Sequence, residues 1–241
     1  MNLTISQLGS KGIVENHSDI LLILWCMNSH IEENYLKALL SLSEDSGEVN
    51  VITLSKRLKI TMPTVTSMMR KLARKRLVDY KKYKPLRLTE KGKKAALLII
   101  RRHRLTEMFL VEKMGFGWEE VHEIAEEVEH VQAPELFERM DKILGFPKLD
   151  PHGEPIPDRT GLVKQEPLVR LSSHKPGEVV TVQAVENVTD DFLKFLNKRE
   201  IRLGLKIKIH TIEPYDGSMV VSYGRRRSET LSHTICERLL V

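Results

Sequence analysis

Residues 53–76 read Thr-Leu-Ser-Lys-Arg-Leu-Lys-Ile-Thr-Met-Pro-Thr-Val-Thr-Ser-Met-Met-Arg-Lys-Leu-Ala-Arg-Lys-Arg. Thr53 is a suitable N-cap for a short helix over Leu54–Leu58, and Thr61 caps a second. Pro63 falls in the first turn of that second helix, where a missing N–H costs nothing. The second helix, over Pro63–Arg76, buries Val65, Met68, Met69 and Leu72. It presents Thr64, Thr66, Ser67, Arg70, Lys71 and Arg74. A short helix, a tight turn and a helix with small polar residues at its start and bases along its flank make a helix-turn-helix.

Working outward, Leu77–Tyr83 and Leu86–Thr89 read as two short strands around Lys84-Pro85, the wing of a winged helix-turn-helix. Lys81, Lys82 and Lys84 would lie beside a sugar-phosphate backbone, adding salt-sensitive affinity without sequence information. Base reading falls to Thr61, Pro63, Thr64 and Ser67 at the start of the recognition helix, where Thr61 and Pro63 also initiate the helix. Thr66, Arg70 and Lys71 complete the expected DNA-facing set. Charge agrees with this reading. Between Asn50 and Leu105 there are 18 Lys/Arg against two acids, a net of +16, and the remainder of the chain carries −11. A basic module joined to an acidic one suits a chain that meets a polyanion with one part and cations with another.

The acidic part centres on His122–His130, His-Glu-Ile-Ala-Glu-Glu-Val-Glu-His. At 3.6 residues per turn His122, Glu126, Glu129 and His130 share one face, beside an apolar stripe of Val121, Ile124, Ala125 and Val128. A solvated acidic face is the alternative, because Glu119, Glu120, Glu123 and Glu127 stand nearby. Upstream, His103 and Glu107 lie at i, i+4 within an apolar helix spanning Lys93–Lys113. Two helices that each bring His and Glu point to a mixed nitrogen and oxygen site for a divalent metal. A third helix is expected over Pro134–Leu144. Together the helices carry more apolar surface than one copy can cover, so a homodimer is expected, with paired recognition helices matching a palindromic operator.

A chain of 241 residues with 41% hydrophobic content holds several compact units. No apolar run is long enough to span a membrane. Two cysteines, Cys26 and Cys236, are too few for a disulfide framework, and a reducing cytoplasm fits. Residues 1–26 read as a misassigned upstream extension or a poorly ordered arm. Residues 145–157 carry four prolines and mark a boundary. Beyond it, Val179–Val185, Lys206–Ile209 and Met219–Tyr223 read as strands. A helix over Asp190–Lys198 interrupts them and Thr230–Leu239 closes the unit, which suits a small SH3-like β-barrel. The fold class is therefore α+β and multidomain. Residues 27–90 form a winged helix-turn-helix, 91–160 a helical metal-binding and dimerisation domain, and 161–241 the SH3-like domain.

From residue 27 onward the chain resembles the DtxR/MntR family of metal-dependent transcriptional repressors. The motifs that carry the resemblance are Glu33-Asn34-Tyr35-Leu36, Pro63-Thr64-Val65-Thr66 and Leu88-Thr89-Glu90-Lys91-Gly92. To these add His103-Arg104-Leu105-x-Glu107, the His122–His130 pattern, Asp150-Pro151-His152-Gly153 and Ile201-Arg202-Leu203-Gly204 of a FeoA-like SH3 domain. The resemblance implies a cytoplasmic dimer that binds double-stranded operator DNA when loaded with Mn²⁺ or Fe²⁺ and represses metal-uptake genes. It implies a regulatory site of Glu126, Glu129 and His130, with Asn34 as a further ligand from the first helix. It also implies an ancillary site of His103, Glu107 and His122. In some members the SH3-like domain adds one or two ligands, and by spacing Asp191 or Glu186 could do so here. Glu126 stands where iron-sensing members carry Cys, and a hard carboxylate there favours Mn²⁺. Asn34 and Lys37 depart from the manganese pattern, so Fe²⁺ stays open.

Two rivals stand beside this reading. A winged-helix regulator with an organic ligand, similar to MarR-like proteins, would bind its operator without metal. A metal-dependent hydrolase lacks support because no His-Glu-x-x-His spacing occurs and the basic module would go unexplained.

Overall fold

The computed structural model describes residues 29–163, 167–186 and 188–241, so the reading of residues 1–26 lies outside what is described. Two compact units divide between Ala95 and Ala96. No described helix is long and apolar enough to cross a membrane.

In the first unit, α1 (His30–Ser46) starts at Ser29, whose hydroxyl accepts from Ile31 N, and stops at Gly47 with φ of 73°. Helix α2 (Val51–Leu58) begins before the expected Leu54 because Asn50, not Thr53, is the cap: Asn50 Oδ1 accepts from Thr53 N at 2.9 Å. Helix α3 (Met62–Arg74) is capped by Thr61 as expected, yet ends two residues early. Lys75 caps it and Arg76 turns left-handed at φ 59°, so that Leu77 N reaches back to Leu72 O. Val65, Met69 and Leu72 are buried, whereas Met68 is only half-buried.

The wing strands β1 (Val78–Asp79) and β2 (Arg87–Leu88) are much shorter than the sequence suggests. They pair antiparallel, Val78 with Leu88 and Asp79 with Arg87, and Val49 bridges Leu86 on the other side. Lys81–Lys84 leave the ladder as a turn closed by Lys84 N to Lys81 O at 3.1 Å. Leu36, Leu39, Leu54, Met69, Leu72, Leu77 and Leu86 are fully buried and form this unit's core.

Helix α4 (Glu90–Met114) starts earlier than Lys93, because Thr89 Oγ1 accepts from Gly92 N and caps it. Two shorter helices follow, α5 (Val121–Val128) and α6 (Pro134–Ile143). The proline-rich segment after α6 is a strap laid along α4. Arg101 donates to Pro157 O at 2.7 Å and Arg104 to Pro155 O at 2.6 Å, so backbone carbonyls that lack a ladder are satisfied by guanidinium groups.

The C-terminal part is an antiparallel sheet in the order β3 (Val179–Thr181), β5 (Lys206–Ile212), β6 (Met219–Tyr223), β7 (Arg226–Leu231). A second, two-stranded sheet pairs β4 (Ala184–Val185) with β8 (Leu239–Leu240). The expected single strand Val179–Val185 is split because the chain changes partners: Val182 N donates to Leu205 O, then Gln183 N to Leu240 O. Strand β7 was not expected, and the sheets remain SH3-like without closing into a barrel. Helix α7 (Asp190–Lys198) matches its predicted span, capped by Thr189. A short α8 (His233–Cys236) precedes β8. Leu193, Leu196, Ile207, Ile209, Val221 and Leu239 fill the core.

Candidate metal centre and nucleic-acid interface

Helix α4 buries His103 and Glu107 one turn apart, facing α5 and the strap. The His103 ring is held on both sides: Nδ1 lies 2.7 Å from Glu129 Oε2 and Nε2 lies 3.0 Å from Glu107 Oε1. Glu126 Oε1 is 3.9 Å from His103 Nδ1, and His130 Nε2 is 3.5 Å from Glu129 Oε1. On the far side His122 Nδ1 lies 3.3 Å from Glu107 Oε1, with its ring edge-on to His103 at 5.0 Å.

The shared face read from periodicity is correct in direction but not in form, because α5 ends at Val128. Glu129 is the helix cap, and His130 follows in a turn; both are buried, whereas His122 is exposed and Glu126 half-buried. Glu123 and Glu127 do face solvent, so the solvated-face alternative describes the other side of the same helix.

The strap brings two residues that sequence reasoning quoted only as part of a motif. Asp150 and His152 are buried against Glu107, with His152 Nδ1 3.7 Å from Glu107 Oε2. His152 Nε2 donates to Trp118 O at 2.9 Å and the two rings stack. Asp150 Oδ1 accepts from His152 N and Glu154 N, folding the strap into a tight turn. The spacing Asp-x-His was visible, but its location among prolines made it look like a linker.

Three groups of ligand atoms thus lie within 4.8 Å of one another: His103, Glu107 and His122; His103, Glu126 and Glu129; Glu107, Asp150 and His152. Electrostatics bind them together. Burial opposes ionisation of Glu107, but hydrogen bonds from His103, His122 and His152 outweigh it and hold that carboxyl far below the usual range. Burial and the negative charges of Glu107 and Glu154 push Asp150 up to about 7, against the Arg104 guanidinium. His152 is pushed down by burial, yet Glu107 and Asp150 carry it up to about 9. Carboxylates and imidazoles packed this closely fit a divalent cation, which would supply the positive charge that protons and Arg104 otherwise provide.

The remaining expected ligands join none of these groups among the described residues. Asn34 is exposed on α1 in the first unit. Asp191 is exposed in the first turn of α7, and Glu186 pairs with Arg170 at 3.1 Å; neither joins a group of ligand atoms among the described residues.

On the first unit, Thr61, Pro63, Thr64, Ser67 and Arg70 are exposed at the start and flank of α3, and Thr66 is half-buried. Lys81, Lys82 and Lys84 are exposed on the wing. Lys71 is exposed too, but its Nζ lies 2.9 Å from the buried Glu32, which also holds Lys75, so part of its charge is committed within the unit.

Comparison with known proteins agrees with this division of labour. Residues 27–86 match the iron dependent repressor N-terminal DNA binding domain, and residues 89–158 match the iron dependent repressor metal binding and dimerisation domain. Residues 169–241 match the FeoA domain. The chain is 36% identical over 169 residues to the iron-dependent repressor IdeR of Mycobacterium tuberculosis, covering 66% of this chain and 74% of the relative. It is 28% identical over 219 residues to IdeR of Mycobacterium leprae, covering 87% of this chain and 95% of that one. Among solved structures, a manganese-dependent transcriptional repressor in complex with manganese superposes with a TM-score of 0.76 at 32% identity, over 87% of this chain and 98% of that one. The manganese regulator SloR superposes with a TM-score of 0.67 at 26% identity, over 87% and 96% of the two chains. The chain therefore belongs to the iron-dependent repressor family and is a metal-dependent, DNA-binding transcriptional repressor, not an enzyme.

Proposed function

We propose that this repressor senses Mn²⁺ or Fe²⁺ at two adjoining sites in its second unit and, once loaded, binds a palindromic operator as a dimer to control metal uptake. The observation that carries the proposal is the pair of ligand clusters that share His103 on a chain with a matched DNA-binding domain. Glu126, Glu129 and His130 with His103 would hold one ion; Glu107, His122, Asp150 and His152, with His103 shared, would hold the other. Oxygen-rich ligands with imidazole suit Mn²⁺ and Fe²⁺, and the absence of a thiolate from these groups removes a preference for softer ions. Thr61, Pro63, Thr64 and Ser67 read bases; Arg70 and the wing lysines meet phosphates. Ile143 and Phe146, exposed at and beyond the end of α6, support a second copy as partner. The operator as target places the chain in the cytoplasm. Domain limits of 27–90, 91–160 and 161–241 go with this reading.

Metal acts here as a ligand with different affinity for two states of the protein, and a few kcal/mol of difference moves the population substantially. Anaerobic titration of the metal-free protein with Mn²⁺, Fe²⁺ and Zn²⁺, read as operator binding, tests this. Glu129→Gln and His130→Ala should abolish the metal requirement's effect on affinity; operator binding that depends on metal as in the parent would overturn the assignment. Zn²⁺ is expected to bind more tightly than Mn²⁺ whatever the biological effector, so activation and not affinity is the readout.

A further inference from the structure

Five non-glycine residues among those described have positive φ: Lys59, Arg76, Tyr83, Phe146 and Glu200. Four of them have an ordinary cause. Lys59 caps α2, and Arg76, Phe146 and Glu200 follow the ends of α3, α6 and α7, where a left-handed residue lets backbone N–H groups return to the last carbonyls. Tyr83 ends no helix. It is the third residue of the wing turn closed by Lys84 N to Lys81 O, with φ of 64°. That position of such a turn ordinarily takes Gly or Asn, because an L side chain with a bulky β-carbon is strained there. The ring meets no core that would compensate: Tyr83 is 90% exposed, and Lys82 Nζ stands 4.8 Å from its centre.

A strained, solvent-facing aromatic at the apex of the wing lies between Lys82 and Lys84, with Lys81 beside them and all three exposed. Strain retained without a packing return marks a place where the side chain has work outside the folded chain. We infer that Tyr83 is a DNA contact in its own right: its ring covers a deoxyribose beside the half-site and its hydroxyl donates to a backbone phosphate, registering the wing on the duplex. The inference rests on the DNA-binding reading of this unit. Neighbouring lysines supply charge, whereas Tyr83 supplies a neutral, directional contact. Its removal should therefore weaken binding without changing the salt dependence, since a neutral hydroxyl displaces no condensed counterion.

The test uses the full chain with Mn²⁺ and a duplex selected by the parent protein from a random pool. Tyr83→Phe keeps the ring and the turn; operator affinity should fall about three- to tenfold, the value of one hydrogen bond. The slope of log Kd against log salt should stay that of the parent. Tyr83→Gly relieves the turn, so its melting temperature should equal or exceed the parent's while affinity falls further. Affinity of Tyr83→Phe within twofold of the parent, or a flattened salt slope, overturns the inference. Lys81→Ala separates the two levels: if it weakens binding and Tyr83→Phe does not, the wing reading survives and Tyr83 alone fails.

Discussion

His152 donates its Nε2–H to the carbonyl of Trp118 across 2.9 Å, and this leaves Nδ1 facing Glu107. A histidine whose far nitrogen is fixed by a carbonyl is oriented for a ligand on its near one. In the metal-free chain that near nitrogen carries a proton at neutral pH, since His152 is raised to about 9 by Glu107 and Asp150 against the opposing effect of burial.

Metal must displace that proton, so loading of the Glu107, Asp150 and His152 group should tighten as pH rises from about 7 towards 9. Calorimetric titration with Mn²⁺ in buffers of different ionisation enthalpy should show release of on the order of one proton at pH 7. In His152→Ala this component should vanish, with one class of Mn²⁺ site lost and the other retained.

Gly153 has φ of 86°, and a β-carbon there would fall 2.2 Å from Gln183 O and 2.6 Å from Ala184. Val185 N also donates to His152 O at 3.0 Å, so the strap and β4 are in direct backbone contact at this point. Gly153→Ala should lower stability by roughly 2–4 kcal/mol, combining the left-handed penalty with overpacking. Thermal melting measures it, and Mn²⁺ affinity should fall with it because His152 moves.

Glu32 is fully buried in the first unit and receives Lys75 at 2.7 Å and Lys71 at 2.9 Å. Burial alone would raise its pKa, but hydrogen bonds and charge from the two lysines lower it. A carboxylate depressed on folding contributes stability above its unfolded value, and that contribution is lost as pH falls through the folded one. Glu32→Ala should cost roughly 1–3 kcal/mol at neutral pH, less than a fully buried pair because both lysines reach solvent. Denaturant unfolding from pH 7 down to 3 should show a smaller acid-side loss in the variant than in the parent.

Lys81 is exposed on the wing and has no structural duty in the core. Lys81→Ala should weaken operator and unrelated duplex alike and reduce the salt slope by about 0.9, the value of one phosphate contact on duplex DNA. Fluorescence anisotropy across a salt series reads both quantities.

Elements set by local chemistry were readable without coordinates. Thr61 before Met-Pro announces α3, because a cap satisfies donors within its own turn. His103 and Glu107 at i, i+4 were readable for the same reason. What depended on distant partners was not. The break at Val182 and Gln183 arises because two different strands claim adjacent residues, and no local signal encodes which. Asp150 and His152 reach Glu107 only because Arg101 and Arg104 hold a proline-rich segment onto α4. Asn50 displaced Thr53 as the cap of α2: both are good caps, and Asn50 Oδ1 accepts from both the N–H and the hydroxyl of Thr53.

The single imidazole of His103 lies between Glu129 and Glu107, each belonging to a different ligand group. Whatever filled one group would set the protonation and tilt of a ring that the other group shares. Occupancy of the pair would thus be correlated, and by linkage the influence mutual. A sensor wired this way would register the two occupancies together, not as two independent receptors.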